Sequence, residues 1–367
     1  MLEKIYHHMK KDIVLTISCI LAVLSCIISP ISVQYIDYID IHTLILLFCL
    51  MLIVEGLRQL QFFSYIANIL LLKVHTQRGL SICLVSLCFI SSMFITNDVA
   101  LITFIPFGIM ILELVQMKQK LSFIIMLMTI AANLGSMFTP IGNPQNMYLY
   151  SISSMHITSF LFMMLPYILI AAILLLGCII FKIKKENIHI KMEEKIIFSK
   201  RDTLFYLVLF ILCLLSVSNI LSHPVLLIII SICIFMKNKR LFLQIDYALL
   251  LTFIFFFIFV GNLNQLTQLK DTLTTIVAGN ETMVAILLSQ IISNVPAAML
   301  LSNYATSMQD LIIGTNIGGL GTLIASMASL ISYKQIVNCY PDKTKQYIKQ
   351  FTYYNLLFLL ILFIFKR

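Results

Sequence analysis

Residues 13–29, 160–181, 203–221 and 351–365 form long apolar runs without a single charged side chain. No other feature constrains the fold as tightly. In hydrocarbon every backbone N–H and C=O must be satisfied internally, so runs that cross a core of ~30 Å must do so as helices. Charged residues make up only 11% of the chain, against about 25% in a typical soluble domain, and mean hydropathy is +1.00. The expectation is an all-α, multi-pass membrane protein of the cell membrane. The first apolar run has a basic flank but no small-residue cleavage site, so it reads as an uncleaved first helix.

The formal charge of +9 is not gathered into a nucleic-acid patch. Lys and Arg fall at Lys4/Lys10/Lys11, Arg58–Arg78, Lys118/Lys120, Lys182–Arg201, Lys237–Arg240 and Lys334–Lys349. These positions flank the apolar runs, as the positive-inside rule expects of cytoplasmic loops. The expected partner is the lipid bilayer, not nucleic acid. Segment 30–42, with Asp37 and Asp40, falls on the opposite side together with 150–159 and 218–224. The N-terminus is then cytoplasmic, 12–29 crosses outward, 42–57 returns and 60–79 is interfacial. Segment 81–112 enters and leaves from one side; its arms read as too short for full spans, so it is a re-entrant hairpin. Next come a broken helix at 121–153, interrupted at 139–146, and a return through 160–181. A charged, solvated cytoplasmic linker occupies 182–202, and 203–221 is one linking helix. After it, 223–236, 246–262, a hairpin at 281–307, a broken helix at 310–333 and a helix at 350–365 repeat the order. The reading totals about nine crossings plus two hairpins. One extra crossing turns the second half over, giving two inverted-topology repeats, 1–181 and 203–367. The nine cysteines lie mostly within apolar runs and never as CxxC, so they read as packing residues rather than a disulfide or metal framework.

The breaks carry the chemistry. Thr96-Asn97-Asp98 interrupts the first hairpin and Ser293-Asn294-Val295-Pro296 the second. Downstream, the ten residues from Asn133 to Gly142 align without a gap on the ten from Asn316 to Ala325, at an offset of 183 (316 − 133). A second echo pairs Val54-Glu55-Gly56-Leu57-Arg58-Gln59-Leu60 with Val260-Gly261-Asn262-Leu263-Asn264-Gln265-Leu266. A lone Gly-rich membrane stretch is most often close helix packing, and a lone Asn or Thr an interhelical hydrogen bond. Two matched pairs of Gly/Pro-broken segments point instead to the binding site of a secondary transporter. Broken helices leave N–H and C=O groups without intrahelical partners. Half-helix N-termini favour anions, and freed carbonyls suit Na⁺. Pro140 and Pro144 block helix continuation, Asn143, Gln145 and Asn146 supply amides, and Thr139 and Thr322 supply hydroxyls. These neutral groups can hold an oxyanion without burying a permanent cation. Asp98 is the most pointed residue, because a carboxylate at the bilayer centre costs ~3 kcal/mol or more. Desolvated, it can carry a proton; beside a cation, it can be a ligand. Glu55 reads as an i,i+3 surface pair with Arg58. His42, His156 and His223 read as interfacial, and no His/Glu spacing supports a metal site. Neither a nucleophile with a base nor a metal-ligand set is found, so no enzyme activity and no cofactor are expected.

At these residues the chain resembles the ion transporter superfamily with the citrate-transporter-like domain, which includes divalent anion/sodium symporters, ArsB-type arsenite permeases and NhaD-type sodium/proton antiporters. Phe94 to Phe107 resembles the signature TNDVALLTFVPF, Ile141 to Asn146 resembles GNPQN, and Ser289 to Ala298 resembles SQxxSNVPA. The resemblance implies a scaffold and a transport domain that moves as a rigid body, commonly in homodimers, with substrate held between the hairpin tips and the broken helices. In symporter relatives, two Ser-Asn-Thr motifs meet the carboxylate groups. Here both keep the Asn and lose the final Thr, and Asp98 tilts toward the arsenite and sodium/proton branches. The expected activity is transport of a small anion, a di- or tricarboxylate, by an elevator-like mechanism coupled to Na⁺ or H⁺. The alternative is a Na⁺/H⁺ antiporter or an arsenite/oxyanion efflux permease. Substrate is expected at Thr96, Asn97, Thr139, Pro140, Gly142, Asn143, Ser293, Asn294, Gly319 and Thr322. The coupling ion is expected at Asp98, Asn97, Gln145, Asn146, Asn294, Asn316 and Gly318, with no metal other than Na⁺.

Overall fold

Helices account for nearly all regular structure in the computed structural model, which describes residues 13–27, 35–188 and 199–366. The basic cluster Lys4, Lys10 and Lys11, the last two residues of the expected first span with 30–34 of the expected outer segment, and residues 189–198 of the expected linker lie outside the described residues. The helices are α1 (Ile13–Ser25), α2 (Tyr35–Tyr38), α3 (Ile41–Gln59), α4 (Phe62–Leu71), α5 (Gln77–Ile95), α6 (Asn97–Leu114), α7 (Leu121–Ser136), α8 (Pro144–Ile152) and α9 (Ile157–Lys182). They continue with α10 (Lys200–Val217), α11 (His223–Asn238), α12 (Tyr247–Leu263), α13 (Thr267–Val277), α14 (Glu281–Ile292), α15 (Asn294–Leu301), α16 (Met308–Gly318), α17 (Met327–Cys339) and α18 (Thr344–Lys366).

Polar residues at the boundaries start these helices. The Asp40 side chain accepts from Thr43 N at 3.2 Å, Thr76 from Gly79 N at 3.1 Å, and Asp246 from Leu249 N at 3.0 Å, each serving an N–H that the helix itself leaves without a partner. Among the described residues, five helices are long and apolar enough to cross a membrane, or up to seven if each of two bent pairs is one span. The bends are 86° between α11 and α12 and 112° between α13 and α14. The sequence leads to about nine crossings. The remaining segments fall short for physical reasons: α7 and α16 stop at breaks, and α10 carries Lys200, Arg201 and Asp202 in its first turn.

The loops separate into two sets by their contacts. On one side, Asp40 accepts from Ser151 Oγ at 2.9 Å and the rings of His42 and His223 lie 4.9 Å apart. On the other, Lys237 pairs with Asp202, Gln77 donates to Glu186 at 2.9 Å, Arg78 donates to Ile183 O at 3.0 Å, and Lys343 donates to Lys118 O. Helices α3, α9, α10 and α11 each run from one set to the other. Arg58, Lys182, Lys200 and Lys237 thus lie at the ends of these four helices opposite the ends near Asp40 and the histidines.

The helices also pack in two groups. One is built from α1, α3, α10, α11 and α12; the other from α5 to α9 and α14 to α18. They meet where α3 packs on α8 and α12 on α15, with α4 touching α3, α5 and α6.

Two expectations need correction. The arms of the first hairpin are 19 and 18 residues long, each sufficient to cross, because Thr76 caps a helix that starts four residues before the apolar run at 81. The second hairpin does have short arms, of 12 and 8 residues. The start of the linker is not simply solvated, since Ile188 N donates to His75 O at 2.9 Å and Gln77 N to Glu186 O at 2.9 Å.

Candidate functional site

Each hairpin turns on a single residue. Thr96, between α5 and α6, has φ/ψ of 69/152°; Ser293, between α14 and α15, has 77/155°. This region of positive φ is normally left to glycine and costs of order 1–3 kcal/mol for other residues. Neighbouring hydrogen bonds hold it. Asn97 N donates to Gly142 O at 3.2 Å, and Ser293 Oγ donates to Ala325 O at 3.4 Å. Thr139 Oγ1 donates to Met93 O, and Thr322 Oγ1 to Gln290 O at 3.2 Å. The tips are offset by 197 (293 − 96) and the breaks by 183, so residues 142/325 and 139/322 correspond, as do 93/290. Each tip is tied to its own break by matched bonds.

The two breaks are tied to each other. Asn133 accepts from Ser326 Oγ at 3.0 Å and donates to Ser329 Oγ at 3.2 Å. Asn316 accepts from Asn143 Nδ2 at 3.0 Å and donates to Asn146 Oδ1 at 2.6 Å. Subtracting 183 from 326 and 329 gives 143 and 146, so the four bonds form two reciprocal pairs. Helices restart in register as well, α8 at Pro144 and α17 at Met327, again 183 apart. Asn133, Asn143, Asn146, Asn316, Ser326 and Ser329 are all buried. A buried polar group left without its partner costs ~1–3 kcal/mol, so this cross-brace fixes the geometry of both breaks.

Both tips converge on the brace. Asn97 Nδ2 donates to Asn133 Oδ1 at 3.2 Å. Asn294 lies against Gly319, where an added Cβ would stand 2.8 Å from its Nδ2. Asn97 and Asn294 are both buried, 5% and 4% exposed. Four helices, α6, α8, α15 and α17, begin at these segments, bringing N–H-rich, positive dipole ends to a neutral amide and hydroxyl lining.

A cavity of roughly 170 Å³ opens beside the first tip. Its wall includes Thr96, Asp98, Pro144, Glu55, Arg58 and Asp246. Asp98 is half-buried, and its backbone N–H donates to Asn97 Oδ1 at 3.0 Å. Glu55 and Arg58 form the expected i,i+3 pair at two points, 2.8 and 2.9 Å, yet the pair walls the same cavity as Asp98 rather than standing apart from it. At the second tip the position equivalent to Asp98 is Val295, which is buried.

The break boundaries differ from the sequence reading. The first unwound stretch is 137–143, so Gln145 and Asn146 sit in the first turn of α8; the second is 319–326, so Asn316 and Gly318 end α16. Asn143 N-caps α8, accepting from Asn146 N at 2.8 Å. Asn146 Nδ2 donates to Met137 O at 3.3 Å and Thr139 O at 3.2 Å, so two freed carbonyls already meet an amide. Asn316 Nδ2 also donates to Ile312 O at 2.8 Å. In this conformation Asn146 and Asn316 act as braces. Gln145 and Pro140 are buried, and Thr322 is exposed. Gln290, Ser326 and Ser329 were missed as site residues. The Gln290 amide donates to Gly318 O at 2.9 Å and Leu320 O at 3.0 Å and accepts from Thr322 N at 2.8 Å. The available signal was its position three residues before Ser293; for the two serines, it was the 183 offset carried past residue 325.

Comparison with known proteins finds relatives over most of the chain. The model of the citrate transporter family, CitMHS, matches residues 1–331. An uncharacterized transporter of Methanocaldococcus jannaschii is 36% identical over 318 residues, covering 86% of this chain and 86% of that protein. The inner membrane protein YbiR of Escherichia coli is 31% identical over 306 residues, covering 81% of this chain and 80% of that protein.

Proposed function

Because the chain belongs to the citrate transporter family, and is thus a membrane transporter rather than an enzyme, we propose that it is a secondary active transporter of a small anion. The substrate class is a di- or tricarboxylate, moved by an elevator-like mechanism coupled to Na⁺ or H⁺. In this reading residues 1–181 and 203–367 are inverted-topology repeats joined by the linker 182–202. The group containing α3 and α12 is the scaffold, and the group containing both hairpins moves against it. The basic face is cytoplasmic by the positive-inside rule, in the cell membrane, and the working unit is a homodimer.

One observation carries the proposal: the reciprocal Asn133–Ser326/Ser329 and Asn316–Asn143/Asn146 bonds, which gather both tips and four helix N-termini around one neutral polar centre. Such a centre favours an anion without a buried cation. Asn97 and Asn294 would bind substrate or ion, Asp98 the coupling cation. Uptake of labelled citrate and succinate into proteoliposomes tests it. Asn97→Ala and Asn294→Ala should each reduce uptake at least ~100-fold, the loss of ~2.7 kcal/mol of binding. Undiminished uptake in both, at normal expression, would remove the site assignment.

The lining of the cavity at Asp98 supports a second reading, cation/proton exchange. Three carboxylate residues, Glu55, Asp98 and Asp246, line it with a single guanidinium, Arg58, so the wall is net acidic and suits a cation. In that case a pH gradient drives Na⁺ flux without any carboxylate, and Asp98→Asn abolishes it.

A further inference from the structure

The three histidines read as interfacial share one cavity. On the face opposite the basic loops, His42, His156 and His223 line a space of roughly 610 Å³, together with Asn219 and Thr158. The rings of His42 and His223 come from two different helices and meet edge-on, with centroids 4.9 Å apart. His42 is the second residue of α3, His223 the first of α11, and His156 immediately precedes α9. Three helices therefore start at this cavity. Asp40 caps α3, but neither His156 nor Ser222 makes a side-chain capping bond to α9 or α11. Their first-turn N–H groups add to the donors around the space.

The titratable groups facing the cavity are Asp40, His42, His156, His223 and Tyr150; among the described residues no Lys or Arg lines it. The Asp40 carboxylate accepts from Thr43 N, Thr43 Oγ1 and Ser151 Oγ. Imidazoles change charge between about pH 5 and 8; burial and the neighbouring His42 lower His223, Asp40 raises it in part, and an anion bound beside it favours the protonated form. As they protonate, the lining moves from one negative charge toward a net positive one, and every ring nitrogen becomes a donor. A metal ion fits less well, since among the described residues no three His, Cys, Asp or Glu are grouped to hold one.

We propose that this cavity is a second, proton-dependent anion-binding site, which takes a carboxylate or another oxyanion when His42, His156 and His223 are protonated. It is separate from the cross-brace: Asn143 of the brace caps the start of α8, which ends at Ile152 in the wall of this cavity. The bond from Ser151 to Asp40 ties the wall formed by α8 to α3. The site captures an anion at this face, at the far end of the helix whose start holds the brace.

Isothermal titration of the full-length protein with sulfate tests the assignment, because sulfate stays a dianion across this range and any pH dependence belongs to the protein. Sulfate should bind at least about tenfold more tightly at about pH 5.5 than at about pH 8. Binding should vanish in His42→Gln/His156→Gln/His223→Gln and persist in Asn97→Ala/Asn294→Ala. Should the triple variant not fold, each single substitution should weaken binding, and sulfate should slow diethyl pyrocarbonate modification of all three histidines in the wild type. Equal affinity at both pH values, no sulfate binding, or binding indifferent to the histidines overturns the proposal. So does Ni²⁺ binding through the same three imidazoles in place of sulfate.

Discussion

Thr96 and Ser293 hold nearly the same backbone angles, and each tip is tied by matched bonds to its own break, yet two residues on one hairpin carries Asp98 and the other Val295. Asp98 borders a cavity with Glu55 and Arg58; Val295 is buried. The supports also differ. Freed carbonyls of the first break meet Asn146 from its own broken helix, whereas those of the second meet Gln290 from the hairpin. The comparison teaches that a duplicated backbone fixes geometry without fixing chemistry. Once two tips are positioned symmetrically, one can hold a charge that the other does without.

The comparison can be broken most forcefully at the glycines. A Cβ on Gly142 would stand 2.0 Å from Ser136 O, a backbone atom, while on Gly319 the nearest atom is the side-chain Asn294 Nδ2 at 2.8 Å. Gly142→Ala should destabilise by at least about 3 kcal/mol, and Gly319→Ala by about 1 kcal/mol because a side chain can swing away. Thermal unfolding of the purified protein measures both. The reverse order would mean that the first break is the more yielding of the two.

Next in size is the charge itself. Asp98→Asn keeps shape and removes charge, and should cut proteoliposome transport about 100-fold, or 2.7 kcal/mol, without lowering the unfolding temperature. Val295→Ala should change transport less than about threefold. Equal effects would make the tips chemically equivalent.

The smallest effect sharpens the symmetry. Asn133→Ala takes the amide away from Asn97, Ser326 and Ser329, and Asn316→Ala from Asn143, Asn146 and Ile312 O, so each should cost about 2 kcal/mol of stability. Thermal melts differing by much more than that would show that the brace leans on one half.

Much of this was legible in the chain. The apolar runs and the 183 offset depend on local pattern, and the offset placed Asn133 and Asn316 in corresponding positions. Helix ends were less legible. The first hairpin reads as short because Gln77 and Arg78 are polar, whereas Thr76 caps the helix there and Arg78 reaches the carbonyls of Ile180 and Ile183. Gln145 and Asn146 read as part of the break because Pro144 precedes them, but proline at the first helical position starts a helix as readily as it stops one.

By itself the sequence determined that the chain is helical and membrane-embedded, and that its polar breaks come in matched pairs, because hydrocarbon tolerates only internally bonded backbone and the offset is arithmetic. Only the tertiary structure decided that the brace crosses between the pairs, that Gln290 closes the second break, that Glu55 shares a wall with Asp98, and that three histidines meet in one cavity. Those facts depend on contacts between residues tens to hundreds of positions apart, where side-chain reach and helix packing, not local pattern, choose the partner.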